Sequence, residues 1–492
     1  MISCVPDEWV YFTPMFTENQ IDLYNLYQRW AGQPAKSIVP VSAHGSGRQY
    51  FRILGDRESV IGVLNHDRKE NIAFINLSNH FKRHGLPVPE IYSMDLDRHL
   101  YLEQDLGDET LFSLGMALRE GARFPERLAQ MYKQALEILP KFQITAGRDL
   151  DYTICYPRDR FDEQSIRWDL NYFKYNFLKF ARVRFDEQAL EDDFDRFIDF
   201  LLQTDCEFFL YRDFQSRNIM WFQDQPFFID YQGGRKGALQ YDVASLLLDS
   251  KADLPWPVRD ELLDYYMEVV SSYVPLRKEF FLQHYYGYAL VRIMQALGAY
   301  GLRGLFEGKA HFFRSIPYAL QNLEGLLQRG QLPLQLPALT DAWQQLVQSD
   351  SLRQLGFKPG VGLTVHIQSF SYKHGLPRDK TGHGGGFVFD CRVLPNPGRL
   401  PIFAPLTGQD EDVIAFLEKD SDVQLFLRQT ESLVDQAIDH HKKRGFSDLT
   451  VAFGCTGGQH RSVFCAERLA AWLSTKNDVL IDLEHRELER NL

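Results

Sequence analysis

Polar and apolar positions alternate along three short stretches near the start of the chain, Ile38–Val41, Tyr50–Leu54 and Ser59–Leu64, and this two-residue period predicts strands. From about Lys69 to His84 the period lengthens to that of an amphipathic helix. A loop through Pro87-Val-Pro89 and a further strand at Leu100–Gln104 follow. Strands, a helix and more strands in that order suit a small lobe on an antiparallel sheet over residues 21–150. Helical patterns run through 160–203, and short strands return over 208–232. From Asp260 to about Leu327 the chain is helical and rich in aromatic residues. Two prolines and a glycine then punctuate Arg329-Gly-Gln-Leu-Pro-Leu-Gln-Leu-Pro337. The main boundary is expected between there and Gly360, with 336–359 as a linker carrying a bridging helix near Thr340–Gln348. Residues 361–475 begin a new alternation of strand and helix.

Composition narrows the classes. The 492 residues favour two to four domains, and 45% hydrophobic with 24% charged residues is a globular balance. A net charge of −12 argues against broad binding to nucleic acid or anionic membrane. Without a basic start followed by an apolar run, no signal peptide is expected. No apolar run reaches spanning length, so no membrane partner is expected. Cys4, Cys155, Cys206, Cys391, Cys455 and Cys465 form no CxxC pair, which fits a reducing cytoplasm better than a disulfide or zinc framework.

The most informative stretch is Phe208-Phe-Leu-Tyr-Arg-Asp-Phe-Gln-Ser-Arg-Asn-Ile-Met220, followed by Pro226-Phe-Phe-Ile-Asp-Tyr-Gln232. Asp213 and Asn218 stand five apart between apolar strands, and Asp230 ends the next strand. Phosphoryl transfer needs a carboxylate for the proton of the attacking hydroxyl, and oxygen ligands for Mg2+. Asp213 suits the first role, and Asn218 with Asp230 the second.

These residues resemble the aminoglycoside phosphotransferase family of kinases, whose loop reads H-x-D-x-x-x-x-N before I-D. Tyr211 stands at the histidine position. The resemblance implies a bilobal protein-kinase-like fold over residues 1–335, with ATP and Mg2+ as cofactors. It implies that Ser46, Gly47 and Arg48 cover the nucleotide phosphates, and that the hinge around Glu103 and Asp105 holds adenine. The blocks Ser46-Gly-Arg-Gln-Tyr-Phe-Arg52, Asp105-Leu-Gly-Asp108 and Val291–Tyr300 are similar to AmgK-type anomeric sugar kinases of N-acetylmuramate and N-acetylglucosamine. The expected strand reads Val60-Ile-Gly-Val-Leu-Asn65, without the usual phosphate-pairing lysine. Arg48 or loop amides are expected to compensate, leaving Glu70 as a surface residue. Asp242 reads as a brace of the catalytic loop. Asp169 is the candidate to meet the sugar, and the stripe Tyr172, Phe173, Tyr175, Phe177 reads as core.

In residues 360–492 an apolar strand runs through Leu449–Phe453 into Gly454-Cys-Thr-Gly-Gly-Gln-His-Arg-Ser462, and a helix follows. Converging glycine amides, a helix N-terminus and an arginine make an anion cradle. With Phe370-Ser-Tyr-Lys-His-Gly-Leu-Pro377 and Phe387–Pro397, this region is similar to the C-terminal domain of RapZ, an adaptor that senses glucosamine-6-phosphate. That likeness implies an α/β domain with a phosphosugar ligand held by Thr456, Gly457, Gly458, His460, Arg461, Lys373 and His374. Gly398 replaces a histidine of RapZ, and Lys380-Thr-Gly-His-Gly-Gly-Gly386 lengthens a neighbouring loop. Cys455 with Arg461-Ser462 also fits the C-x5-R-[ST] loop of cysteine phosphatases, with no general acid singled out.

The expected class is therefore mixed α/β and α+β, a kinase-like part followed by a separate α/β phosphate-binding domain. The expected activity is ATP-dependent phosphorylation of a small molecule, an amino sugar by resemblance, with phosphosugar sensing. The alternative is a regulatory adaptor with a degenerate kinase fold that binds nucleotide and phosphosugar. Nothing in the sequence points to an RNA or protein partner.

Overall fold

A computed structural model describes residues 18–41, 48–56, 58–119, 124–307, 310–329, 332–353, 363–377, 386–443, 446, 448–476 and 479–489. Helix α1 (Glu18–Ala31) precedes strands β1 (Ser37–Val41), β2 (Gln49–Leu54) and β3 (Ser59–Leu64). Helix α2 (Arg68–Arg83), β4 (Ile91–Asp95) and β5 (Leu100–Gln104) complete the first lobe. The five strands form an antiparallel sheet in the order β1-β2-β3-β5-β4. Asp67 starts α2 by accepting the amides of Lys69 and Glu70. The helix then packs Phe74 against Tyr101 of β5 and against Tyr231.

The second lobe opens with α3 (Leu111–Leu118), α4 (Glu126–Pro140), α5 (Glu163–Phe173) and α6 (Glu187–Leu201). Four short strands follow: β6 (Phe208–Leu210), β7 (Ile219–Phe222), β8 (Gln225–Phe228) and β9 (Arg235–Gly237). β7 pairs with β8 as a hairpin and β6 pairs antiparallel with β9, which brackets the loop carrying Asp213. Helices α7 (Leu239–Leu247), α8 (Trp256–Ser271), α9 (Lys278–Tyr300), α10 (Ala310–Phe313) and α11 (Ile316–Arg329) close the lobe. One apolar core runs continuously from Val63 and Phe74 through Phe142, Phe209 and Tyr231 to Leu297 and Leu323.

The expected linker over 336–359 is corrected for its first half. Helices α12 (Pro337–Val347) and α13 (Asp350–Arg353) bury Leu339, Trp343, Leu346 and Leu352 in the kinase-like core. The buried Asp193 carboxylate accepts the Leu339 amide at 2.8 Å, which pins the start of α12 to α6. These residues belong to the first domain because their apolar face has nowhere else to be covered. Residues 354–362 lie outside the described residues.

The second domain contains β10 (Leu363–Ser371), β11 (Gly386–Asp390), α14 (Glu411–Glu418), α15 (Ser421–Lys443), β12 (Asp448–Cys455), α16 (Arg461–Ser474), β13 (Val479–His485) and α17 (Arg486–Glu489). Its sheet is wholly parallel in the order β11-β12-β10-β13. The central strands bury Val365, Ile367, Val451 and Phe453 with Phe464 and Leu469 of α16 in a core of their own. The Phe387–Pro397 block forms β11 and the turn after it, while 378–385 lie outside the described residues. Among the described residues, the five cysteines are free thiols and no helix is long and apolar enough to cross a membrane.

One charged cluster ties the three strands β10, β12 and β13 together. His366 bonds Asp448 at 2.7 Å and Asp482 at 2.8 Å. Burial opposes its charge, yet the two carboxylates lift its pKa from 6.5 to about 9. A folded pKa above the unfolded one means that this stabilisation is complete below about pH 6.5 and is lost as pH rises through about 9. Denaturation of wild type and His366→Gln across pH 6–10 should show the variant losing most of that decline. An unchanged pH profile in the variant counts against the assignment.

Candidate active site and phosphate cradle

Asp242, on the first turn of α7, organises the catalytic loop. It accepts the amides of Tyr211 at 2.8 Å and Arg212 at 3.0 Å, and the Gln143 side-chain amide at 3.0 Å. Burial pushes this carboxyl up to about 7, against three donors that favour its charged form. Arg212 takes a left-handed backbone conformation, φ 81°. Its guanidinium holds both oxygens of Asp169 at 2.6 and 2.7 Å between the rings of Phe161 and Tyr241. These contacts set the direction in which the next residue, Asp213, leaves the turn. Tyr211, at the expected histidine position, is fully buried and donates to Ile229 O at 2.6 Å. That bond ties the Asp213 loop to the residue before Asp230.

Asn218 donates from Nδ2 to Asp213 O at 2.8 Å and to Asp230 Oδ2 at 3.2 Å. The structure thus brings Asp213, Asn218 and Asp230 together. Burial and then the neighbouring Asp213 charge raise the Asp230 pKa. A divalent cation relieves that mutual repulsion, and carboxylate and amide oxygens are the donors Mg2+ prefers. Asp230 also has a positive φ, 69°, a strained conformation for a residue with a side chain.

Arg48 answers the absence of a strand lysine. Its guanidinium is buried, pairs with Glu70 of α2 at 2.6 Å and reaches Asp230 at 3.5 Å. Asn65 steadies Glu70 from the other side at 2.8 Å. Glu70 is therefore an ion-pair partner and not the expected lone surface residue, because Arg48 approaches from the start of β2 where a lysine would approach from β3. Burial opposes the charge on Arg48, but Tyr50, Tyr101, Asp230 and Glu70 hold its pKa above the ordinary value.

The remaining nucleotide-side expectations divide. Ser46 and Gly47 lie outside the described residues. Asp105 spends its carboxylate on Arg52 at 2.7 and 3.0 Å, on Ser59 and on the Gly107 amide. Only its backbone remains for a ligand. Glu103 is buried on β5 with Oε2 unpartnered among the described residues, and burial raises its pKa to about 8. Asp169, expected to meet the sugar, instead gives both oxygens to Arg212. That pair was missed because Arg212 carries no motif; its one sequence signal is adjacency to Asp213.

In the second domain, β12 ends at Cys455 and α16 begins at Arg461, with Thr456 and Gly457 exposed between them. Gly458 has φ 70°, and an added Cβ would lie 2.4 Å from Glu487 Cγ, so only glycine fits. Its amide donates to Cys455 Sγ at 3.2 Å, and Ser462 Oγ lies 3.1 Å from the same sulfur. The thiol braces the loop from beneath. Arg461 is buried and tethered through Nη1 to the carbonyls of Arg392 and Leu394 at 3.1 and 3.0 Å. Its Nε has no partner among the described residues, a buried donor that a bound anion would satisfy. His460 bonds Phe403 O at 2.8 Å and lies 3.2 Å from where a side chain at Gly398 would start. His374 bonds Glu487 at 2.7 Å, and Lys373 precedes it in the same turn. Arg392, stacked 4.0 Å over Tyr372, adds a cation that the motif reading did not include.

Residues 37–277 match the model of the phosphotransferase enzyme family, and residues 363–489 match that of the RapZ C-terminal domain. Curated relatives include a "Nucleotide-binding protein" of Halorhodospira halophila, 46% identical over 127 residues (26% of this chain and 42% of that protein). Another, from Actinobacillus pleuropneumoniae serotype 5b, is 41% identical over 129 residues, 26% of this chain and 43% of that protein. The chain thus spans less than half the length of these relatives. Among solved structures, a choline kinase from Cryptosporidium parvum shares 12% identity at TM-score 0.44, over 62% of this chain and 92% of that one. Aminoglycoside phosphotransferase APH(4)-Ia shares 15% at TM-score 0.43, over 64% and 100%.

Removing Arg48 takes the paired cation from Glu70 and a nearby cation from Asp230, and with them the group expected to meet the nucleotide phosphates. A charge-assisted contact is worth about 1.5–3 kcal/mol. Calorimetry with ADP and Mg2+ should find binding about ten- to a hundredfold weaker in Arg48→Ala. Undiminished affinity would remove Arg48 from the nucleotide site.

Proposed function

We propose that this chain, a phosphotransferase-enzyme-family domain joined to a RapZ C-terminal domain, is an ATP- and Mg2+-dependent amino-sugar kinase whose second domain binds a phosphosugar. The observation that carries the kinase reading is the meeting of Asp213, Asn218 and Asp230 under the Arg48–Glu70 pair. In the proposed reaction the acceptor hydroxyl oxygen attacks the γ-phosphorus of ATP. The bond from that phosphorus to the β–γ bridging oxygen breaks, and ADP leaves. The Asp213 carboxylate accepts the hydroxyl proton. Asn218 and Asp230 hold Mg2+, which neutralises phosphate charge when bound. Arg48, with Ser46 and Gly47 beside it, grips the phosphates, while the backbone around Glu103 and Asp105 receives the base. Asp169 acts through Arg212 as a positioning residue.

The amino-sugar assignment rests on the likeness to AmgK-type kinases, and a cytoplasmic location on the cysteines, which form no CxxC pair. The adaptor reading drew its support from the missing lysine and from Tyr211. Arg48 supplies the absent cation, and the Tyr211–Ile229 bond supplies the anchor, so both warrants weaken. In the second domain, Arg461 with its open Nε favours an anionic ligand, held with Thr456, Gly457, Gly458, His460, Lys373 and His374. Cys455 sits beneath the loop as a brace, which favours binding over hydrolysis.

Magnesium-dependent ADP release across a panel of amino sugars tests the first half. At least one sugar should support turnover, and Asp213→Asn should lower it by roughly two to four orders of magnitude while ADP still binds. Near-normal turnover in that variant would take the base assignment away, and no sugar-dependent release at all would favour the adaptor. For the second half, calorimetry with glucosamine-6-phosphate and with the kinase product should show Arg461→Ala binding about ten- to a hundredfold more weakly at unchanged kinase rate. Phosphate release that disappears in Cys455→Ser would make the domain a phosphatase.

A further inference from the structure

His80 lies in the last turn of α2 and His84 caps its C-terminus, four residues on. That spacing puts both rings on one side of the helix, with their centroids 4.7 Å apart. Asp149 meets the pair from the second lobe, three residues past the π-helical turn Lys141–Ala146 that follows α4. Its Oδ1 lies 3.1 Å from His84 Nε2 and 3.8 Å from His80 Nε2. The Ala146 carbonyl oxygen stands 2.8 Å from the same His80 nitrogen. Among the described residues this is the one group of three His, Cys, Asp or Glu side chains whose donor atoms, one from each, all lie within 4.8 Å of one another.

These separations suit a coordination sphere. Two ligands on a tetrahedral zinc stand about 3.3 Å apart when each bond is about 2.0–2.1 Å. The contacts at 2.8, 3.1 and 3.8 Å scatter around that value. Two imidazoles with a carboxylate form a donor set that zinc favours over magnesium. The scattered cysteines speak only to thiolate sites. A cavity of about 310 Å3, lined by His84, Gly85, Leu86, Lys141, Thr145 and Tyr273, gives an ion a way in. Ligation through Nε2 leaves the His80 ring proton on Nδ1, and the Ala146 carbonyl turns from hydrogen-bond acceptor into a further oxygen donor.

We propose that His80, His84 and Asp149, with the Ala146 carbonyl, form a Zn2+ site that staples the end of α2 to the second lobe. The first turn of the same helix carries Glu70, the partner of Arg48. An ion at the far end therefore steadies the helix whose near end holds the cation of the cleft. The site uses none of the residues proposed for Mg2+. Its test needs no turnover, so it stands or falls apart from the kinase reading.

Full-length wild type, His84→Ala and Asp149→Ala can be titrated with ZnCl2 by calorimetry in excess Mg2+, and with CoCl2 while the visible spectrum is followed. The His84 and Asp149 side chains are 25% and 63% exposed, so both variants should fold, and their metal-free Tm values check this. Wild type should show a Zn2+ site that each variant binds about tenfold or more weakly, because losing even an outer-shell partner costs about that much. Co2+ should give wild type the intense visible bands of a four-coordinate centre, and neither variant should show them. Zn2+ should also raise the Tm of wild type more than that of either variant. No Zn2+ uptake by wild type, or a smaller loss of affinity in either variant, would overturn the proposal and leave His84–Asp149 a surface ion pair.

Discussion

Asp242 has no exposed surface, yet its carboxylate accepts two consecutive backbone amides, Tyr211 and Arg212, and the Gln143 side chain. Two neighbouring N–H groups can converge on one acceptor only if the chain turns sharply, and Arg212 makes that turn with its positive φ. The turn carries the Arg212 side chain toward α5, where Asp169 fixes it. Remove the buried acid and three donors lose their partner together, with the loop free to relax into a commoner conformation. Much of the placement of the reacting groups follows from this one acceptor.

Charge in the cleft is arranged so that nearly every buried ion has its opposite. Arg48 joins the sheet lobe to α2 through Glu70 and looks across to Asp230. Arg52 gathers Asp105 and Asp108 at the mouth. Arginine suits both posts, because its planar fork meets two carboxylates at once where an ammonium group presents a point charge. A lysine on β3 would have to rise from between the neighbouring strands, and Val63 there is instead wholly buried against the core. The cation has moved to an adjacent strand, while the ion pair it makes with the helix is kept.

Periodicity was enough to read four of the five strands of the first lobe, α2 and the strand–loop–helix of the cradle, because each buries one face and its repeat is short; β4 (Ile91–Asp95), with no buried residue, was not read. The stretch 336–353 was harder to read. Proline and glycine near its start suggest a linker, but α12 packs on both α11 and the distant α6, where Trp343 meets Phe197 edge to face. The meeting of Asp213, Asn218 and Asp230 was legible because their spacing is set by local chain geometry. Arg212–Asp169, 43 positions apart, and Arg48–Glu70, 22 apart, were not, since a lone arginine and a lone acid carry no mark of meeting.

The two candidate anion sites use arginine in opposite ways. Arg461 is tethered by two backbone carbonyls through Nη1, so its orientation is set before any ligand arrives, and its Nε has no partner among the described residues. Carbonyl oxygens hold a guanidinium in place without cancelling its charge, whereas a carboxylate would neutralise it. Arg48, by contrast, is already half-compensated by Glu70 and Asp230, so an arriving phosphate competes with standing partners. A pre-oriented, uncompensated cation favours retention of its ligand. A shared one would release phosphate more readily, which is why the proposed roles are binding for the second domain and transfer for the first.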